Sequence, residues 1–423
     1  MTFPPILPYN RASRRPSRRT TLRTFIAPFA LAVLLATGAA CSKKSGDPSV
    51  IKLVSSLPRT GSANAQTTTI VNGIRMAIAE VGGKVGEFTI VYEDWDDASP
   101  QRGNWDAAIE AANADRAIKD ADVMVYLGTY NSGAAKVAIP KLNQAGLAMI
   151  SPANTAVGLT KPGKGEANEP EIYRPTGTIN YFRVVPADDL QGAVGAEWAK
   201  KLGAGKVFVL HDRELYGKGI ADIFKQRAVE LGLEIVGYEG TDAKASNYKA
   251  LATKIKATGC SLVYFGGTTQ SNAGQLAKDL RAGGFDGMFM VPDGCFEKAF
   301  IDSAGAENLN DKTYVTFGGV PASRLTGKGA DFYRAYTERY KSEPEVYAVY
   351  GYEAAKVALD AIARAGKKDR AAIIAAIAAT RDFEGALGRW SFDENGDTTM
   401  RTMSGQIVRG GDFQLLEILG GTE

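Results

Sequence analysis

The chain has 423 residues, of which 45% are hydrophobic and 23% charged, so it is long enough to form two lobes and not only one core. Lys and Arg number 50 against 47 acidic residues, which gives a formal net charge of +3. Six arginines lie in residues 1–40, so the remainder carries 44 basic residues against 47 acidic ones. This balance gives no indication of a nucleic-acid-binding surface.

Residues 1–40 have the order of segments that is typical of a secretory signal peptide. Arginines without acidic residues come first, an apolar run covers 25–36, and small residues lead to Cys41. The apolar run is about a dozen residues long, whereas a helix that spans a bilayer needs about 20. We therefore expect residues 1–40 to be removed during export, which makes the mature protein periplasmic or otherwise extracytoplasmic.

Cys41 resembles the acylated cysteine of bacterial lipoproteins, because it directly follows small residues. Gly38 stands where the lipoprotein pattern usually has Leu, and ordinary signal-peptidase cleavage before Cys41 is the alternative. The polar stretch 41–49 fits a tether and favours a lipid anchor. Residues 17–23 resemble a twin-arginine export motif with Thr21 in place of Phe, so either export route is open.

From residue 50 onward, short apolar runs alternate with amphipathic segments, which predicts parallel sheets covered by helices on both faces. Residues 154–180 lack periodicity and are predicted to form a long surface loop. Helices are predicted from about 104 and, in the last third, over 331–342, 346–366 and 369–379, followed by a β-like tail. The predicted strands are 51–56, 88–92, 123–127, 148–150, 206–210, 234–238, 261–265, 288–291 and 313–317.

Besides Cys41, the chain has two cysteines, Cys260 and Cys295. Cys260 precedes the strand 261–265, whereas Cys295 follows the strand 288–291. Neighbouring parallel strands would hold the two thiols at opposite ends of the sheet, but a disulfide needs Cα atoms within about 7 Å. We predict two unpaired structural cysteines.

Polar loops follow the strands of the first predicted lobe. The loop 128–133 contains Ser132, and the loop 151–155 ends at Thr155. Hydroxyl groups and free N–H groups at helix starts suit an anion such as a carboxylate. Alternatively, each hydroxyl merely caps a helix.

Asp293 stands directly after the strand 288–291 of the second predicted lobe, where its carboxylate could meet an ammonium group. The alternative is an Asp that only forms a turn before Gly294. His211 is the only histidine and lacks neighbours with metal-ligand spacing, so it is interpreted as a hinge or hydrogen-bonding residue. No metal or cofactor is expected.

Over essentially the whole mature chain, the sequence resembles the periplasmic binding proteins of the branched-chain amino acid (Leu/Ile/Val) transport family. The two most specific similarities are the ISPA-x-T stretch and the HD-x-x-x-YG stretch. The matching segments are IKLVSSLPRTG (51–61), GTYNSGAAK (128–136), MISPANTAVGLT (149–160), YFRVVPADD (181–189), VFVLHDRELYGKG (207–219), LVYFGG (262–267) and VPDG (291–294).

The resemblance implies an α/β type I clamshell made of two doubly wound parallel-sheet lobes. It implies three crossovers between the lobes, near 181–186, 317–321 and 385–400. The expected first lobe comprises 50–182 and 319–390, and the expected second lobe comprises 183–318 and 391–423.

The resemblance also implies how an amino acid would be held. Ser132 and Thr155 match the donors to the α-carboxylate. The ammonium group would lie against the carbonyl of Ala153, Thr155 and Asp293. A zwitterion needs such donors and acceptors close together, and a dry cleft strengthens both pairings.

Tyr216 matches a family tyrosine of the second lobe, and Tyr347 matches an aromatic residue that lines the side-chain pocket. Gln66 and Thr268 stand where family members often have aromatic residues, which argues against a purely aliphatic pocket. The loop 161–180 looks longer than is usual in the family.

The expected function is capture of a branched-chain or other neutral amino acid by clamshell closure and its delivery to an ABC permease. We expect a monomer that contacts the membrane through its N-terminal lipid anchor. One alternative is an amide, urea or aromatic acid as the ligand, and another is a ligand sensor for a receptor. Catalysis is not expected, because the phosphate-loop-like segment 158–164 is followed by Gly165 where Ser or Thr is needed.

Overall fold

The structure is a computed structural model that describes residues 46–420. The predicted signal peptide and Cys41 lie outside the described residues. Most strands belong to two open sheets, with helices on both faces of each. We call the first sheet and its helices the first lobe, and the second sheet and its helices the second lobe.

The first sheet has the strand order β2-β3-β1-β6-β7-β8, in which all neighbours are parallel except β2 and β3. Its strands are β1 (Val50–Leu57), β2 (Lys84–Val85), β3 (Phe88–Asp96), β6 (Val123–Gly128), β7 (Ala148–Ser151) and β8 (Tyr181–Arg183). A hairpin of β4 (Ala98–Ser99) and β5 (Asn104–Trp105) follows β3. The helices of this part are α1 (Asn64–Glu80), α2 (Ala107–Lys119) and α3 (Ser132–Gln144).

The second sheet has the order β10-β9-β11-β12-β13-β16-β17, parallel as far as β13 and antiparallel beyond it. Its strands are β9 (Lys206–His211), β10 (Glu234–Gly240), β11 (Leu262–Gly266), β12 (Met288–Val291), β13 (Thr313–Gly318), β16 (Met403–Arg409) and β17 (Asp412–Leu419). Its helices are α4 (Asp188–Lys201), α5 (Leu215–Glu230), α6 (Lys249–Ala257), α7 (Ala273–Ala282), α8 (Lys298–Ala304) and α9 (Ala306–Leu309).

Between β13 and β16 the chain returns to the first lobe. It forms α10 (Lys328–Tyr340), α11 (Ala348–Ala365), α12 (Arg370–Ala378) and a hairpin of β14 (Phe383–Gly385) and β15 (Gly388–Trp390). Two glycines allow α11 to pack closely along α1. A Cβ on Gly73 would lie 2.2 Å from the Ala348 carbonyl oxygen, and one on Gly351 would lie 2.5 Å from that of Ile70. Larger residues would force these helices apart.

All nine predicted strands are present, and the three predicted helices of the last third are α10, α11 and α12. The helix predicted from about 104 begins instead at Ala107, because residues 104–105 pair with β4 and Asp106 caps the helix. Cys260 and Cys295 are unpaired and buried, as predicted.

The prediction of a surface loop over 154–180 is wrong for its first part. Residues 154–160 are buried and include a short 3₁₀ turn, Val157–Leu159. Leu159 and Tyr173 pack in one apolar cluster with Tyr181 of β8. The exposed residues of this segment are 162–168, 171–172 and 175–178. The segment forms no α-helix or strand, and its sequence therefore shows no periodicity. Some of its side chains nevertheless pack in the core.

Within residues 46–420, no helix combines the length and the apolar character needed to cross a membrane.

Candidate functional site

Loops at the carboxyl ends of strands from both sheets line a narrow, partly open cavity. Ligands of open parallel α/β sheets bind at this edge of the sheet. Three of its lining residues are acidic, and no Lys or Arg among the described residues lines it. The predicted site residues at its wall are Ser132, Ala153, Thr155, Tyr216, Thr268, Asp293 and Tyr347.

The first-lobe wall is formed by the start of α3 and by the loop that follows β7. The Ser132 hydroxyl, in the first turn of α3, accepts a hydrogen bond from the backbone N–H of Ala156 at 3.3 Å. The Ser151 hydroxyl accepts from the backbone N–H groups of Ala153 at 3.1 Å and Asn154 at 2.8 Å. These bonds fix the loop, so that Ala153 and Thr155 face the cavity.

A buried arginine supports this loop from behind. Arg183, at the end of β8, has no solvent-exposed surface and donates to the carbonyl of Ala156 at 2.8 Å. Its Nε also donates to the carboxylate of Asp397 at 2.7 Å. Burial raises the pKa of Asp397, but the charge and hydrogen bonds of Arg183, together with Lys161 and Thr160, more than offset this and keep that pKa below its usual value. The ion pair of Arg183 and Asp397 therefore fixes the loop, although its two residues lie far apart in the sequence.

Asp293 lies at the end of β12, where it joins the two walls. Its Oδ1 accepts from the Tyr216 hydroxyl at 2.6 Å and from Gln191 Nε2 at 2.8 Å, both of the second lobe. Its Oδ2 accepts from the hydroxyl of Tyr347, which belongs to the first lobe. Burial raises the pKa of Asp293, whereas these donors lower it. Burial and the charge of Asp293 both raise the pKa of Tyr216, so the phenol stays a donor.

A second buried carboxyl lies on α4 near Asp293. Asp188 is 1% exposed, and burial followed by the negative charge of Asp293 raises its pKa well above the usual value. Two neighbouring carboxyls of this kind do not both ionise readily in a dry site. A cation bound beside Asp293 would relieve this repulsion.

Gln66 does not line the cavity. It is fully buried in α1, where its Oε1 accepts from the backbone N–H of Tyr347 at 3.3 Å. Its Nε2 donates to the carbonyl of Phe296 at 3.5 Å, in the second lobe. Gln66 therefore supports the wall residue Tyr347 and reaches the other lobe, while its predicted contact with a ligand stays a prediction.

The sequence analysis did not identify several cavity residues. Trp105 of the β4–β5 hairpin packs against Gly133, where a Cβ would lie 2.4 Å from the indole ring. Tyr130 packs edge-on against Tyr347 with ring centroids 5.8 Å apart. Asp212 and Ser271 form a hydrogen bond of 2.6 Å at the second-lobe wall. The position of Asp212 directly after a strand was the available signal, whereas Trp105 carried none.

At the rim of the cleft, a charged contact links the lobes. Arg102 lies 3.6 Å from the carboxylate of Glu214, and its guanidinium lies 5.3 Å from the Trp105 ring centroid. His211 at the end of β9 accepts from the backbone N–H of Arg213 at 3.1 Å, which is the hydrogen-bonding role predicted for it. No group of three or more potential metal-ligating side chains occurs within residues 46–420.

Known proteins share this architecture. The family model described as "Periplasmic binding protein" matches residues 50–412. The chain is 32% identical over 351 residues to Leu/Ile/Val-binding protein homolog 2 of Brucella abortus. The alignment covers 81% of this chain and 86% of that protein.

Solved structures agree with the family match. The structure of the leucine-binding protein LivK of Thermotoga maritima is similar with a TM-score of 0.77 and 26% identity, over 88% of this chain and 99% of that one. The structure of LivJ of Streptococcus pneumoniae in complex with isoleucine is similar with a TM-score of 0.75 and 26% identity, over the same shares of the two chains. The predicted fold, two α/β lobes of the type I clamshell, is confirmed. The chain belongs to the periplasmic binding protein family, whose fold is that of extracytoplasmic substrate-binding proteins and not of enzymes.

Proposed function

We propose that the protein captures an α-amino acid outside the cytoplasm and delivers it to the permease subunits of an ABC transporter. The observation that carries this proposal is the pairing of the two walls. Neutral donors at Ser132 and Thr155 lie on one side of the cavity, and the carboxylate of Asp293 lies on the other. A zwitterion with both charges on one carbon fits this arrangement, and the relatives bind amino acids of this kind by name.

In the proposed complex, the hydroxyls of Ser132 and Thr155 donate to the α-carboxylate. The α-ammonium group donates to the carbonyl of Ala153, to Thr155 and to Asp293. Tyr216 and Tyr347 close the site from the two lobes and hold Asp293 between them. Because the site is buried, each charged hydrogen bond is stronger than it would be in water.

Capture proceeds by closure of the lobes. We propose a first lobe of residues 50–182 and 319–390, which holds the zwitterion, and a second lobe of 183–318 and 391–423, which swings over it. A ligand favours the closed state only through contacts that the open state lacks. Tyr216 and Asp293 of the second lobe would supply those ligand contacts. The hydrogen bond between Tyr347 and Asp293 and the contact between Arg102 and Glu214 join the lobes directly and would add to the stability of the closed state.

We further propose that the protein acts as a monomer, held at the membrane through an acylated Cys41 after removal of residues 1–40. The sequence order of basic, apolar and small segments supports this part of the proposal. Labelling of cells with a radioactive fatty acid tests it. Wild-type protein should incorporate label, and a Cys41→Ser variant should not.

Thermal unfolding against a panel of α-amino acids, amides and aromatic acids tests ligand capture. A ligand that binds only the folded state stabilises it by about 2.7 kcal/mol at a hundredfold excess over its dissociation constant. We expect a shift with at least one α-amino acid. A shift confined to an amide, urea or aromatic acid would retain the scaffold and reject the amino acid.

A further inference from the structure

A chain of buried hydroxyl groups runs from the cavity wall to a carboxylate. Thr268, two residues after β11, lines the cavity, and its hydroxyl lies 3.0 Å from that of Ser271. The Ser271 hydroxyl donates to Oδ2 of Asp212 at 2.6 Å. All three side chains are at least 90% buried, so their hydrogen bonds are made to one another and to the cavity.

The direction of these hydrogen bonds follows from the carboxylate. Oδ1 of Asp212 accepts from the backbone N–H of Glu214 at 3.0 Å, while Oδ2 accepts from Ser271. Ser271 has one hydroxyl proton, and it is used for Asp212. The proton between Ser271 and Thr268 must therefore come from Thr268. Its remaining lone pairs make Thr268 an acceptor toward the cavity.

The cavity lining offers further acceptors. Oδ1 of Asn131 is buried without a hydrogen-bond partner among the described residues, and Glu214 lines the rim with a carboxylate that also contacts Arg102 at 3.6 Å. Leu, Ile, Val, Met and Phe are all absent from the described lining residues, so its apolar surface comes from Ala153 and aromatic rings. An aliphatic side chain in this cavity would leave the acceptors of Thr268 and Asn131 unpaired, which is unfavourable.

We propose that the amino acid bound here has a side chain with N–H donors, namely an amide, guanidinium or ammonium group, and that Thr268 is a specificity-determining residue for it. This inference rests on the amino-acid capture proposed above. The N–H groups of such a side chain would meet the acceptors of Thr268, Glu214 and Asn131. An aliphatic side chain cannot supply these bonds, so it is discriminated against.

Calorimetric titration of the exported protein tests the ligand class. Burial raises the pKa of Asp212 to about 7, so the titrations are made at pH 8, where this carboxyl is mostly ionised. The probes are glutamine, asparagine, arginine and lysine, compared with leucine, isoleucine and valine. We expect at least one of the first four to bind ten times more tightly than any of the last three.

The outcomes separate this inference from the proposed function. If an aliphatic amino acid binds as tightly as the best nitrogen-bearing one, amino-acid capture stands and the donor side chain is rejected. If no α-amino acid binds, both are rejected.

A Thr268→Val variant isolates the hydroxyl, because valine keeps the shape of threonine. We expect about tenfold weaker binding of the best nitrogen-bearing amino acid and unchanged or tighter binding of leucine. Thr253→Val, at an exposed position of α6, is the matched control and should change neither. Equal losses for both ligands, in a variant with wild-type circular dichroism and unfolding temperature, would show that Thr268 only supports the wall and would reject its selective role.

Discussion

The two walls of the cleft differ in charge and in the way they are held. The first-lobe wall has neutral hydroxyl and backbone groups at Ser132, Ala153 and Thr155, and it is fixed from behind by the ion pair of Arg183 and Asp397. The second-lobe wall carries the carboxylates that line the cavity. In the proposed complex, one wall would orient the ligand carboxylate and the other would supply negative charge for its cationic groups.

Removal of Arg183 should have the largest effect, because it leaves Asp397 buried without its partner. We expect Arg183→Ala to lower the free energy of unfolding by about 3–5 kcal/mol, measured by urea denaturation. Arg409→Ala breaks an exposed pair with Asp311 and should cost less than about 1 kcal/mol. Equal losses in the two variants would contradict the role given to the buried pair. The double variant Arg183→Met/Asp397→Leu should recover part of the loss.

Asp293→Ala tests the acidic wall. We expect a loss of about 2–5 kcal/mol in amino-acid binding, because the ligand ammonium would be left buried without its counter-charge. Titration calorimetry measures the loss, with Asp286→Ala as the control at an exposed acid of the same lobe. Wild-type affinity in Asp293→Ala would remove Asp293 from the site.

Glu297 allows a test of how much a buried carboxyl group in the second lobe lowers the stability of the fold. Burial raises its pKa from 4.5 to about 8, with a further increase from Glu345. Between these values the unfolded chain has lost a proton that the folded chain keeps, so stability falls as the pH rises from about 4.5 to about 8. Each unit of pKa difference is worth about 1.4 kcal/mol.

A Glu297→Gln variant should therefore flatten the pH dependence and be more stable than the wild type at pH 8, as measured by urea denaturation across this range. The exposed variant Glu234→Gln is the control and should follow the wild-type curve. An unchanged slope in Glu297→Gln would mean that Glu297 does not titrate as described.

Ser132→Ala should give the smallest effect and tests the neutral wall. Loss of one hydrogen bond to the ligand carboxylate should weaken binding by about 0.5–1.5 kcal/mol. The change should affect all α-amino acids equally, because they share the carboxylate. A loss that depends on the ligand side chain would place Ser132 in the side-chain pocket instead.

Much of the fold followed from the sequence. Apolar runs separated by amphipathic segments predict parallel strands that alternate with helices. The strands predicted in this way are present in the predicted order along the chain. Residues directly after strands could be named as site candidates, because the carboxyl ends of parallel strands meet at one edge. Seven of the eight named site residues lie at one cavity. This reason covers the loop residues, whereas Tyr347 directly precedes α11 and was named from the family resemblance.

Tertiary structure decided the rest. Gln66 lies behind the wall and not in it, since the direction of a side chain depends on how α1 packs against α11. Trp105 reaches the cavity through a two-residue strand that no periodicity could reveal. The Ser271–Asp212 hydrogen bond and the Arg183–Asp397 pair join residues that are distant in sequence. Only the packed chain fixes which of them share a buried hydrogen bond, because such bonds depend on distances that local sequence patterns do not encode.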